Sequence, residues 1–119
     1  MIAVIFEVEI ANGQQQAYLD IAAELLPFLE KIDGFISVER FQSLSNSGKI
    51  LSLSFFQNED SLKEWRQLQK HREAQYKGRN IIFKNYRLRI AGVIRNYGML
   101  DREQAPADSN EIHCSSSNS

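Results

Sequence analysis

Cysteine is nearly absent from this chain of 119 residues, and the single Cys114 can form no intrachain disulfide. Its setting near the C-terminus among Ser, Asn and His residues fits a reducing cytoplasm. Long apolar runs are missing as well, and nothing approaches the roughly 20 residues of a membrane span. The apolar stretch Met1 to Ile10 carries Glu7 and Glu9 and lacks a basic leader, so it is a poor signal peptide. Neither charge sign dominates, because 14 Lys and Arg stand against 15 Asp and Glu for a formal net charge of −1. That balance argues against general attraction to nucleic acid or anionic lipid. The motifs of several chemistries are absent too: a Gly-rich phosphate loop, paired cysteines or clustered histidines at metal spacing, and a serine set in a nucleophile elbow. Hydrolase, nucleotide-binding and metal readings lose their support. The expectation is a cytoplasmic protein with one compact domain.

What is present is regular. Ile2, Val4, Phe6, Val8 and Ile10 alternate with Ala3, Ile5, Glu7 and Glu9, the period of a strand with one fully apolar face. After Asn12-Gly13, the residues Tyr18, Ile21, Ala22, Leu25, Phe28, Leu29 and Ile32 recur at helical spacing. Pro27 lacks a backbone donor, so a kink or restart is expected near Leu26, with the helix ending before Asp33-Gly34. Phe35 to Ser43 and Lys49 to Gln57 read as a hairpin around Ser45-Asn46-Ser47-Gly48. Asn58 to Ser61 supplies capping and first-turn acidic residues for a second helix, which continues to about Lys77 before Gly78. Tyr86 to Tyr97 alternates as a last strand, and residues 100–119 form a polar tail too poor in apolar groups to order itself.

The order βαββαβ, with right-handed crossovers, implies an α+β ferredoxin-like antiparallel sheet over residues 1–99 with both helices on one face. The fourth strand should lie beside the first, the third on the first strand's other side, and the second at an edge. The open face is expected to carry Ile5, Glu7, Glu9, Phe35, Ser37, Glu39, Phe41, Ile50, Ser52, Ser54, Phe56, Arg87, Arg89, Val93 and Arg95, with the glutamates across from the arginines. Phe35, Phe41, Ile50 and Phe56 would then form an exposed apolar patch. A second copy packed sheet to sheet through a two-fold axis would cover it, making a homodimeric α+β barrel.

Four segments carry a family likeness: Ile2-Ala3-Val4-Ile5-Phe6-Glu7-Val8, Asp33-Gly34-Phe35 leading through Ser37 to Phe41, Leu53-Ser54-Phe55-Phe56, and Trp65-Arg66 followed by His71-Arg72. Over residues 1–99 the chain resembles the antibiotic biosynthesis monooxygenase family of dimeric α/β-barrel proteins. The resemblance implies a monooxygenase or oxidase with no bound cofactor and no metal, acting with O₂ on a small planar aromatic such as an anthrone or hydroquinone. Its substrate would lie between sheet and helices, against Phe6, Phe55, Trp65 and Tyr76, with His71 and Trp65 as catalytic candidates.

Plainer roles compete for the same residues. Trp65 lies three residues from both Leu62 and Leu68 on the core stripe of its helix, which also suits a buried anchor. His71 sits between Lys70 and Arg72 in a polar run and suits a solvent-facing position. A haem-degrading monooxygenase of the same superfamily is the enzymatic rival, but the first strand has Glu7 and Glu9 where that pattern has an Asn. A barrel that binds small molecules without turning them over is the non-enzymatic one. RNA binding finds no basic-aromatic motif from Leu51 to Gln57.

Overall fold

The computed structural model describes residues 1–76 and 82–109, the side chains of 69–76 excepted. Its elements are β1 (Ile2–Ile10), α1 (Gln15–Glu30), β2 (Phe35–Gln42), β3 (Lys49–Phe56), α2 (Glu59–Tyr76) and β4 (Phe83–Gly92). The strands form one antiparallel sheet in the order β2-β3-β1-β4, with both helices on one face. This is the ferredoxin-like α+β arrangement that the element order implies.

Local chemistry accounts for the element ends. Gly13 closes β1 with φ of 77°, and Gly34 starts β2 with φ of 92°, a region where side chains are strained. A Cβ at Gly34 would also run into Ser61 Oγ, so the Asp33-Gly34-Phe35 entry depends on glycine twice. Asn58 caps α2, its Oδ1 accepting from the Ser61 backbone N–H at 3.1 Å. In the β2–β3 hairpin, Gln42 Nε2 donates to the carbonyls of Ser47 at 2.8 Å and Lys49 at 3.0 Å, which fixes the turn and hence the pairing of Gln42 with Ile50.

Two local expectations change. α1 runs through Pro27 to Glu30 without a restart, because a proline in the last turn removes only one helical hydrogen bond. β4 begins at Phe83 rather than Tyr86 and ends at Gly92 rather than Tyr97, its start shifted by an irregularity opposite Glu9 and Ile10. Beyond it, Arg102 stacks over Tyr97 at 5.3 Å and donates to the Gly98 carbonyl and to Ser109 Oγ, knitting residues 97–109 together.

The larger change concerns the faces of β3. Ile50 and Phe56 are buried beneath the helices, with Ser52 and Ser54 between them on the same covered face. The open face therefore carries Leu51, Leu53 and Phe55, which pair through β1 with Glu7, Ile5 and Ala3. Phe35 also turns inward, packing its ring at 5.7 Å from Phe56, because the register slips between Phe35 and Ser37 and shifts the alternation by one residue. Of the four residues expected in the exposed patch, Phe41 alone keeps its place, and it shares the open face with Ile5, Leu51, Leu53 and Phe55, which are half-buried.

The core divides into two clusters. Val4, Leu29, Ile32, Phe56 and Leu62 fill one end of the space between sheet and helices, and Val8, Ile10, Tyr18 and Ile50 fill the other. Val8 and Phe56 are fully buried. Among the described residues, no helix is long and apolar enough to cross a membrane.

Candidate active site

Between the two clusters the sequence places small side chains where large ones would close the core. Ser52 and Ser54 on β3 face Ala22 on α1, and the space they leave is a cavity of about 430 Å³. Its floor is a row across the sheet, Arg40 on β2, Ser52 on β3, Phe6 on β1 and Leu88 on β4, each paired with the next by strand register. Its roof is α1, through Tyr18, Ile21, Ala22, Leu25 and Leu29, and α2, through Trp65 and Arg66. Neither helix covers β4 fully, so Tyr86 and Leu88 line the cavity while remaining 60% and 40% exposed. That side is the entrance.

The walls differ in chemistry. Toward β1 and β4 they are aromatic: Phe83 stands edge-on to Phe6 and to Tyr18 at 5.8 Å, and Tyr86 stands edge-on to Phe6 at 5.6 Å. Toward β2 and β3 they are polar, with the two serines and the Arg40 guanidinium, whose carbon lies 6.0 Å from the centre of the Tyr18 ring. A ligand with a flat apolar body and one polar edge matches this division.

Of the sequence-predicted site residues, Phe6 and Trp65 line the cavity. Trp65 is half-buried and also touches the Val4 to Leu62 cluster, so it is both core anchor and cavity wall. Phe55 does not line it. Paired with Ala3 on the open face, it lies on the far side of the sheet, since its neighbour Phe56 takes the inward position. His71 and Tyr76 belong to α2, and their side chains lie outside the described residues. Among the described residues no cluster of His, Cys, Asp or Glu could hold a metal ion.

Sequence reasoning missed Arg40, Ser52, Ser54 and Phe83, and weighed Tyr18 and Tyr86 only as possible proton donors. The signal for Arg40 was its alternation with Val38, a charged residue sharing a strand face with an apolar one. The serines were assigned to the open face because polar residues on a two-faced strand ordinarily meet water. On that open face Glu7 receives Arg89 at 3.3 Å and Lys49 at 3.6 Å. The Arg89 hydrogen bond, with the Lys49 charge next, holds its carboxyl below the usual carboxylate range.

Known proteins share this architecture. Jasmonate monooxygenase ABM of Pyricularia oryzae is 48% identical over 93 residues, which are 78% of this chain and 43% of that protein, so the chain spans less than half of this relative. YqjZ of Bacillus subtilis is 27% identical over 78% of this chain and 79% of its own length. The haem degrader MhuD of Mycobacterium tuberculosis, solved with two haems bound in its active site, matches 82% of this chain and all of its own with a TM-score of 0.63. At 14% identity that likeness shows the fold alone. The model of the antibiotic biosynthesis monooxygenase family matches residues 1–77, from β1 through α2, and the chain belongs to that family.

Proposed function

We propose that the protein is a monooxygenase that uses O₂ on a small planar phenolic or quinol-type compound, without a bound cofactor, and works as a homodimer. The observation that carries this reading is the cavity itself. Its volume of about 430 Å³ and its walls of Phe6, Tyr18, Trp65, Phe83 and Tyr86 suit a flat ring system.

The chemistry needs few groups. An acidic CH₂ beside an aromatic ring loses a proton, and the resulting carbanion passes one electron to O₂. The radical pair joins through a C–O bond, and the hydroperoxide then loses water as its O–O bond breaks. The CH₂ has become C=O, one oxygen atom has entered the product, the other has left as water, and the substrate has supplied every electron. The protein's share is to bind and orient the ring, keep bulk water from the radical pair and accept the first proton. His71 is the proposed acceptor and Trp65 the proposed stacking partner.

The homodimer reading rests on the open face. Ile5, Leu51, Leu53, Phe55 and Phe41 form an apolar strip there, flanked by the Glu7–Arg89 pair. A second copy meeting this strip sheet to sheet would remove it from water on both partners.

Oxygen uptake by the purified, metal-chelated protein tests the reaction, against a heat-inactivated control and across anthrones, hydroquinones and, given the Pyricularia relative, jasmonate. Uptake above the control, with an oxygenated product, is expected. Trp65→Phe should then lower turnover about tenfold or more, as loss of substrate positioning does. His71→Ala should alter the pH dependence of the rate. No uptake with any compound that demonstrably binds would favour a binding protein that has kept the fold.

A further inference from the structure

We infer that Arg40 makes the cavity a site for a ligand that carries a carboxylate on an apolar ring body. The inference rests on reading the cavity as a ligand site and goes beyond it to the class of ligand.

The Nε of Arg40 is buried and has no hydrogen-bond partner, and among buried side-chain polar atoms of the described residues it stands alone in this. Arginine stays charged at every relevant pH, so a hidden, unmatched N–H cannot be relieved by losing a proton. Desolvating such a donor is unfavourable unless an acceptor arrives. Among the described residues no carboxylate of the chain forms an ion pair with Arg40, whose one close aromatic neighbour is Tyr18. Its position is nevertheless set from below, because strand register holds it directly opposite Ser52 on the cavity floor.

Arg40 lines the cavity, and the Nη edge of a guanidinium presents two parallel donors at the spacing that a carboxylate accepts with both oxygens. Phe6 lies two strands away in the same row, so a ligand clasped at Arg40 would lay its body over Phe6 toward Phe83 and Tyr86. A neutral ring of equal size would fill the same space and leave the guanidinium charge without a partner. Charge therefore decides between ligands that shape does not.

Isothermal titration calorimetry of the full chain with 2-naphthoate and its neutral counterpart 2-naphthamide tests this. The native protein should bind the carboxylate about tenfold more tightly than the amide, the scale of one hydrogen-bonded charge contact. Arg40→Met should bring that ratio to about one, mostly by weakening the carboxylate, because the amide carbonyl accepts from the guanidinium without the charge that strengthens the carboxylate contact. Lys63→Gln, an exposed cation outside the cavity lining, should keep the preference. Should Arg40→Met fail to fold by circular dichroism, Arg40→Gln carries the same expectation. Equal binding of both compounds by the native protein would overturn the role of Arg40 and leave the cavity reading intact. So would a preference that survives Arg40→Met, or one that Lys63→Gln abolishes. If neither compound binds, the cavity reading falls and this inference with it. Oxygen uptake, measured separately, bears on the reaction and not on this preference.

Discussion

The two faces of the central strand β3 invert the usual relation between composition and burial. The set Leu51, Leu53 and Phe55 is wholly apolar and faces outward, whereas the inward set Ile50, Ser52, Ser54 and Phe56 is half serine. In a protein shaped only to hide oil from water the assignment would be the reverse. The inward serines create a cavity between two core clusters, and the outward leucines create a strip that asks for cover. Each face gives up some stability, one to a cavity and the other to a half-exposed apolar strip.

Adjacent phenylalanines offer the sharpest way to break this contrast. Phe56 is fully buried in the cluster of Val4 and Leu29, so Phe56→Ala should cost about 3 to 5 kcal/mol in chemical denaturation, a large share of the stability of so small a domain. Phe55→Ala, one residue away on the open face, should leave unfolding of the subunit far less affected. Equal losses at the two positions would erase the distinction between the faces.

The next effect in size concerns association. Leu53→Asp puts a charge in the middle of the open strip, between Ile5 and Glu39 in the register. Light scattering should show the mass falling from two copies to one, with circular dichroism unchanged, because a lone charge buried in an interface is strongly disfavoured. A native protein that is already a monomer at micromolar concentration would remove the sheet-to-sheet pairing altogether.

The smallest effect is electrostatic and belongs to the open face alone. Glu7 has its carboxyl held below the ordinary carboxylate range by Arg89 first and Lys49 second. A group whose folded pKa is lowered adds stability that is present above its unfolded value, near 4.5, and is lost as pH falls through the folded value. Glu7→Gln should therefore lower the denaturation midpoint slightly at pH 7, with the difference shrinking as pH falls below 4.5 and through the folded value. A constant difference between variant and native across that range would show that packing, not charge, is responsible.

Much of the fold was legible because the local signals agreed with one another. The alternation from Ile2 to Ile10, the helical recurrence from Tyr18 to Leu29, the Asn58 cap and the turn at Gly34 each act within a few residues, and the fold has them where the sequence puts them. The site was less legible. Phe6 and Trp65 were found because aromatic side chains on a covered strand and a core-facing helix have few other places to go. Phe55 was placed wrongly, and Ser52 and Ser54 were missed, for a single reason. Period two sorts a strand's residues into two sets, but it does not say which set meets the helices.

The amino-acid sequence by itself determined the order of the elements, the apolar face of β1, the caps and turns that end each segment, and the exclusion of disulfide, phosphate-loop and membrane-helix architectures. Tertiary structure alone decided which way β3 turns, that Phe35 rolls inward across a register slip, and that one arginine nitrogen is sealed without a partner beside a cavity. The physical reason is range. Alternation, capping and turn conformation are settled by neighbours along the chain, whereas facing, burial and hydrogen-bond satisfaction depend on groups brought together from four strands and two helices.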